Sequence, residues 1–351
     1  MANQQHKPIA PPVTWFGSKS RLVKKIVGYF PEHQTFVDVF GGSGAVLLGK
    51  RPAKVEVYND LNKKMVSLFR ILSCPKKTSE LKRLLEYTPY SRDEFNACRA
   101  QVDQTTNEIE LARQMIVIQR QSHGGLGKQW SYCVDAPAAG YSASVRKFHA
   151  GIERLSDVSH RIRRAQIENL PWKQAIQRYD RPETLFYLDP PYVPDTRING
   201  KYEHEMTIEE HMDMVDSLLD IEGKAVLSGY AHPVYEPLEA AGWKRIDIEV
   251  IATSSKTRTK RTECLWISPS CDRPKLTIEE PTQDNLTNRQ AAAYRVHKAR
   301  TEDSEAKIIE AIKILKRIGK KVTKAEVARM TGISRVQISR RYSHLFEGKA
   351  G

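Results

Sequence analysis

The chain has 351 residues, 40% of them hydrophobic, enough for one large α/β domain plus a smaller unit. No apolar run approaches the ~20 residues of a membrane span, and the opening MANQQHKPIAPPV lacks the apolar core of a signal peptide. A soluble cytoplasmic protein is expected, with no membrane partner. Five cysteines, at 74, 98, 133, 264 and 271, form no CxxC pair, so neither a disulfide framework nor a metal site is expected. The net charge of +14 is uneven. Residues 273–351 carry 18 Lys+Arg against 9 Asp+Glu, which favours a polyanionic partner, most simply nucleic acid.

Seven short β-branched or aromatic runs read as strands: 35–40, 54–60, 165–170, 184–189, 224–230, 245–252 and 262–268. Helical patterns such as 61–72 and 208–221 lie between them. This alternation predicts an α/β fold with a doubly wound, mostly parallel seven-stranded sheet. The last two runs, joined by the polar stretch 253-TSSKTRTKR-261, predict an antiparallel hairpin at the sheet edge. Residues 75–160 interrupt the alternation with helical pieces (79–87, 108–118) and then an irregular stretch, 120–142, rich in Gly, aromatic and basic residues. Long irregular loops in compact domains are commonly functional.

Three motifs carry chemistry. In 36-FVDVFGGSGAVLL-48 an apolar strand enters a Gly-rich turn, and glycines let backbone approach a ligand closely. On its own the pattern is weak, and a plain strand–helix turn is the simpler explanation. In 57-VYNDL-61 an acid ends the next strand at the distance where nucleotide-type folds bind ribose. Asp60 is alternatively a helix cap. In 187-YLDPPYVPD-195 two prolines fix an acid and an aromatic behind a buried strand. A carboxylate and a proline carbonyl side by side offer two acceptors to an exocyclic amino group, and Tyr192 offers a ring face to a flat base. A sharp turn with a core tyrosine is the plainer alternative.

The ordered set WFGSK (15–19), DVFGGSG (38–44), YND (58–60), insert, DPPY (189–192) resembles the Dam-type, α-group adenine-N6 DNA methyltransferases over residues ~10 to ~270. The resemblance implies a methyltransferase domain at 8–270 that uses S-adenosylmethionine and carries a target-recognition region at about 75–160. It implies that Trp15 and Lys19 line the cofactor site, the lysine near the methionine carboxylate. Asp38, Phe40, Gly41, Gly42 and Gly44 would floor that site, Asp60 would take the ribose hydroxyls, and Asn169 would sit near the cofactor's adenine. Asp189 and the Pro190 carbonyl, in the turn completed by Pro191, would hold the target amino group while Tyr192 stacks on a flipped adenine. The substrate would be double-stranded DNA. Arg120, His123, Lys128 and Trp130 are candidate DNA contacts in the insert, and Lys256, Arg258, Lys260 and Arg261 candidate phosphate contacts in the hairpin loop.

Accepting both amino protons localises the nitrogen lone pair, so catalysis rests on positioning and electrostatics, with no cysteine nucleophile. Beyond a polar linker at 271–300, an amphipathic helix at 305–318 precedes 324-KAEVARMTGISRVQISRR-341, with Ala328, Gly332 and Ile338 at helix-turn-helix spacing. The unit at 301–351 would offer Ser334, Arg335, Gln337, Ser339 and Arg341 to a major groove. A three-helix dimerisation unit is the alternative. Cytosine-N4 methylation, an inactive DNA-binding regulator and a nicotinamide oxidoreductase are the alternatives to adenine methylation. Asp189 favours adenine, four intact motifs disfavour an inactive regulator, and the turn lacks the GxGxxG form. A dimer, a cognate restriction nuclease, and a nucleoid-associated location in a prokaryote or phage complete the expectations.

Overall fold

The computed structural model describes residues 8–134, 142–196, 204–252, 259–269, 288–317 and 320–333, with 335, 338, 339, 342, 345 and 346 beyond them. All seven predicted strands form: β1 (Thr35–Asp38), β2 (Val55–Asn59), β3 (Ala165–Glu168), β4 (Thr184–Leu188), β5 (Lys224–Gly229), β6 (Lys244–Ala252) and β7 (Thr259–Ile267). They make one sheet of order β3-β2-β1-β4-β5-β7-β6. Pairing is parallel from β3 to β5, while β7 is antiparallel to both β5 and β6. The strand order reverses between β1 and β4, and ligand sites in such sheets open at the carboxyl ends of the strands beside this switch.

Central strand β4 is buried along its whole length, as a run covered on both faces must be. One face packs into a core that includes Phe36, Tyr58, Phe69 and Tyr187; the other packs around Phe186, Leu188, Met214 and Trp266. Each fully buried large side chain contributes about 1.5–3 kcal/mol. A buried ion pair ties the layers together. Arg161 donates to both oxygens of Glu56 on β2 and, at 2.8 Å, to the carbonyl of Leu47 in the helix after the Gly-rich turn.

The insert is mostly helical. Helices Pro75–Glu86, Arg92–Gln101, Glu108–Gln121, Ala143–Glu153 and Leu155–Ile162 supply Leu81, Phe95, Met115, Phe148 and Leu155 to the first core. The predicted irregular stretch narrows accordingly, because its first residues complete the helix ending at Gln121. A short turn at His123–Gly125 and a single bridge between Ser122 and Trp130 follow.

Two boundaries differ from the sequence reading. Strand β7 begins at Thr259, so Lys260 and Arg261 pair with Ile251 and Val250 in the ladder instead of lying in the hairpin loop. β-branched residues opposite them extend the pairing. A helix spans Asn288–Arg317 and therefore starts inside the stretch read as linker; its alanine-rich opening favours helix despite weak amphipathic patterning. In the C-terminal unit Ile308, Leu315, Val327, Ile338 and Tyr342 form a separate small core. Gly332 caps the helix Lys324–Thr331 with φ of 73°, a left-handed conformation that suits glycine. No described helix is long and apolar enough to cross a membrane.

Candidate active site

A cavity of about 240 Å³ opens at the carboxyl ends of β1, β2 and β4. The WxGxK segment, the Gly-rich turn, the loop after β2 and the Asp-Pro-Pro segment all line it, so the fold joins motifs far apart in sequence. Trp15, Lys19, Asp38, Phe40, Gly41, Gly42, Asp60 and Asp189 are among its walls.

The Gly-rich turn is shaped by its neighbours. Gly41 sits so close to Tyr58 that a Cβ there would meet the ring at 2.4 Å. Gly42, at φ of 48°, leaves room for Trp15, whose Cδ1 would lie 3.3 Å from a Cβ. The Tyr58 hydroxyl donates to the Gly42 carbonyl at 2.7 Å, and its ring stacks on Phe69. Gly44, at φ of 68°, starts the following helix away from the cavity wall. Ser18 and Ser43 bond at 2.9 Å, which fastens the WxGxK segment to the turn.

Asp60 braces this loop. One oxygen accepts from the Gly42 amide and the other from the Asn62 amide, each at 2.7 Å. The cap of the next helix is Asn62, which accepts from the Met65 amide at 3.0 Å. Asn169 also braces. Its amide donates to the carbonyls of Asp60 and Leu61 at 2.8 and 3.1 Å. The residues that follow it, Leu170, Pro171 and Trp172, line the cavity.

The prolines at 190 and 191 end β4 after Leu188 and leave Asp189 beside Lys19. The ammonium donates to both Asp189 oxygens, at 2.6 and 2.7 Å, and to the Gly17 carbonyl at 3.0 Å. It also stands 4.8 Å above the Tyr192 ring. The ring is only 5% exposed, with Tyr230 edge-on at 4.6 Å. Tyr192 therefore does not present an open face here; a lysine covers it. The Tyr192 hydroxyl donates to Glu263 on β7, as does Ser228 at 2.8 Å.

Burial sets the electrostatics. It pushes the Asp189 carboxyl up to about 6, with Lys19 pulling downward and Glu263 adding to the rise. Asp38 is pushed up to about 8 by burial and by the carboxylates of Asp189 and Asp60. Of the two carboxyls, Asp38 is held the higher and Asp189, beside Lys19, the more readily ionised. No group of His, Cys, Asp and Glu among the described residues could hold a metal ion.

The insert residues divide. His123 and Lys128 are exposed, and Trp130 is half-buried under the Arg92 guanidinium, 4.8 Å from its ring centre. Arg120 is a correction. Its guanidinium turns inward and donates to the carbonyls of Pro12 and Pro11 at 2.6 and 2.9 Å, so it pins the chain's own backbone, not DNA. Burial and Arg154 lower its pKa to about 10. Lys256, Arg258, Ser334, Gln337 and Arg341 lie outside the described residues, and Arg335 is exposed.

Sequence reasoning missed Asn59, Glu263 and the segment 204–206. Asn59 donates to Val39 and Leu170 and accepts from the Leu170 amide, clasping two cavity walls. Glu263 had one visible signal, a lone acid in the apolar run TECLWIS.

The next-to-last strand of the described sheet is reversed and a glycine-lined cavity lies beside Asp-Pro-Pro-Tyr, an arrangement consistent with the methyltransferase fold. The chain belongs to the D12 class N6 adenine-specific DNA methyltransferase family, whose model matches residues 15–233. It acts on DNA and methylates adenine at N6. No curated protein matches the chain.

Proposed function

We propose that the cavity takes S-adenosylmethionine and that Asp189, the Pro190 carbonyl and Tyr192 clamp an adenine flipped from double-stranded DNA. One observation carries the reading: an amine already occupies the clamp. Lys19 satisfies both Asp189 oxygens from above the Tyr192 ring, the arrangement an exocyclic amino group would need. The cavity chemistry fits the cofactor. Lys19 can turn to a carboxylate, Gly41 and Gly42 bring backbone to the cavity wall, the Asp60 carboxylate lines the cavity as a hydrogen-bond acceptor, and Trp172 offers a flat wall. When bound, the cofactor supplies an electrophilic methyl group.

The chain's own residues do the rest. Ionised Asp189 and the Pro190 carbonyl accept the two amino protons, which localises the nitrogen lone pair. Tyr192 holds the base plane. The exposed basic residues of the insert and the basic C-terminal unit supply DNA affinity. Asp189→Ala tests the assignment. Calorimetry should still detect S-adenosylmethionine binding, while mass spectrometry of digested DNA finds no N6-methyladenine. Near-normal methylation by this variant would overturn the clamp.

A further inference from the structure

Glu263 lies on the edge hairpin, outside every motif of the site, yet it touches three of its parts. One oxygen accepts from the Tyr192 hydroxyl and from Ser228 Oγ at 2.8 Å, and lies 3.8 Å from the Lys19 ammonium. Glu263, Tyr192, Lys19 and Ser228 are all at most 6% exposed. A carboxylate buried in an apolar strand costs several kcal/mol unless compensated. Leu265, two positions on and so on the same face of the strand, is fully buried in the first core. Two hydroxyls converging on one oxygen supply the compensation.

We propose that Glu263 is a positioning residue for methyl transfer: it fixes the Tyr192 ring and receives Lys19 when a substrate amino group takes Asp189. The proposal rests on the clamp reading above. Geometry gives it two parts. The Tyr192 ring is held at its hydroxyl by Glu263 and packs T-shaped against Tyr230, so its plane is set before a base arrives. The Lys19 ammonium must leave the Asp189 oxygens and the ring face for a base to enter. Glu263 is the other carboxylate beside it, and a shift of about 1 Å brings 3.8 Å to hydrogen-bond distance. The positive charge then stays paired while Asp189 is released.

The test uses the full-length protein on DNA lacking N6-methyladenine, with Glu263→Gln, Tyr192→Phe, their double variant and Asp189→Asn. Glutamine keeps the acceptor oxygen for both hydroxyls and removes the charge. E263Q should unfold within a few degrees of wild type, with kcat lower by about 10–100-fold and KM for DNA within about threefold. The acid limb of its pH profile should move to lower pH, because the Glu263 carboxylate adds to the rise at Asp189, which also faces Lys19, Asp38, Tyr187, Tyr192 and Tyr235. The double variant should be no worse than the worse single, since both act on one ring. Wild-type kcat and pH profile in E263Q, or losses that simply multiply in the double variant, would overturn the proposal. An active D189N would instead refute the clamp on which it stands.

Discussion

Lys19 holds both carboxylate oxygens of Asp189, at 2.6 and 2.7 Å, across 170 positions of sequence. The first motif of the chain thus opposes the rise that burial imposes on the carboxyl of the last one. Asp189 must be ionised to accept amino protons, and its carboxyl is pushed up to about 6. The rate constant kcat/KM should therefore fall about tenfold per pH unit below that value. Lys19 is the group opposing the rise, so Lys19→Met should carry the acid limb to higher pH. A limb unmoved or moved downward in that variant would show that the lysine does not govern Asp189.

Asp38 makes stability depend on pH in the same region. Its pKa rises on folding from 3.8 to about 8, so the native state holds the proton more tightly than the unfolded chain. That contribution is complete below about pH 4 and is lost as pH climbs through 8. Thermal unfolding without ligand should show wild type losing more stability than Asp38→Asn between pH 5 and pH 8, by a few degrees in Tm. Parallel curves for the two proteins would disprove it.

Gly41→Ala probes the floor of the cavity. The new methyl would lie 2.4 Å from a Tyr58 ring that is fully buried and stacked on Phe69, so it cannot simply be pushed aside. Overpacking of this kind costs about 1–3 kcal/mol. Urea unfolding should register that loss together with weakened S-adenosylmethionine binding. Unchanged stability and affinity would mean that the turn relaxes freely.

Two basic residues of the insert should separate cleanly. Arg120→Met strands the carbonyls of Pro11 and Pro12 and should cost about 1–3 kcal/mol of stability. Lys128→Ala, at an exposed position, should leave stability alone, weaken DNA binding and reduce the salt slope by about one. Binding titrations at several salt concentrations and thermal unfolding distinguish them. Swapped behaviours would reverse the assignment.

The seven strands and the edge hairpin were legible because burial on two faces writes continuous β-branched runs. The motifs were legible because Gly and Pro mark backbone that other residues cannot adopt. Partnership was not. Arg120 and Lys128 both read as cations in the sequence, and only packing shows that one faces carbonyls and the other solvent. Asp60 reads as a ribose acceptor, yet both its oxygens first hold the amides of Gly42 and Asn62. Glu263 stayed hidden because its meaning lies in Tyr192 and Ser228, 71 and 35 positions away.

The Arg120 pin bears on specificity engineering. The insert also meets the N-terminal segment at Gly125, where a Cβ would press on Thr14 at 2.5 Å. Residues 11–14 and 120–125 are therefore one module, although more than a hundred positions separate them. A chimera that transplants a foreign recognition region between residues 75 and 160 alone would cut that module in two. Junctions that also exchange residues 11–14 keep donor and recipient surfaces matched, and with them the seat of Trp15 and Lys19 in the cavity.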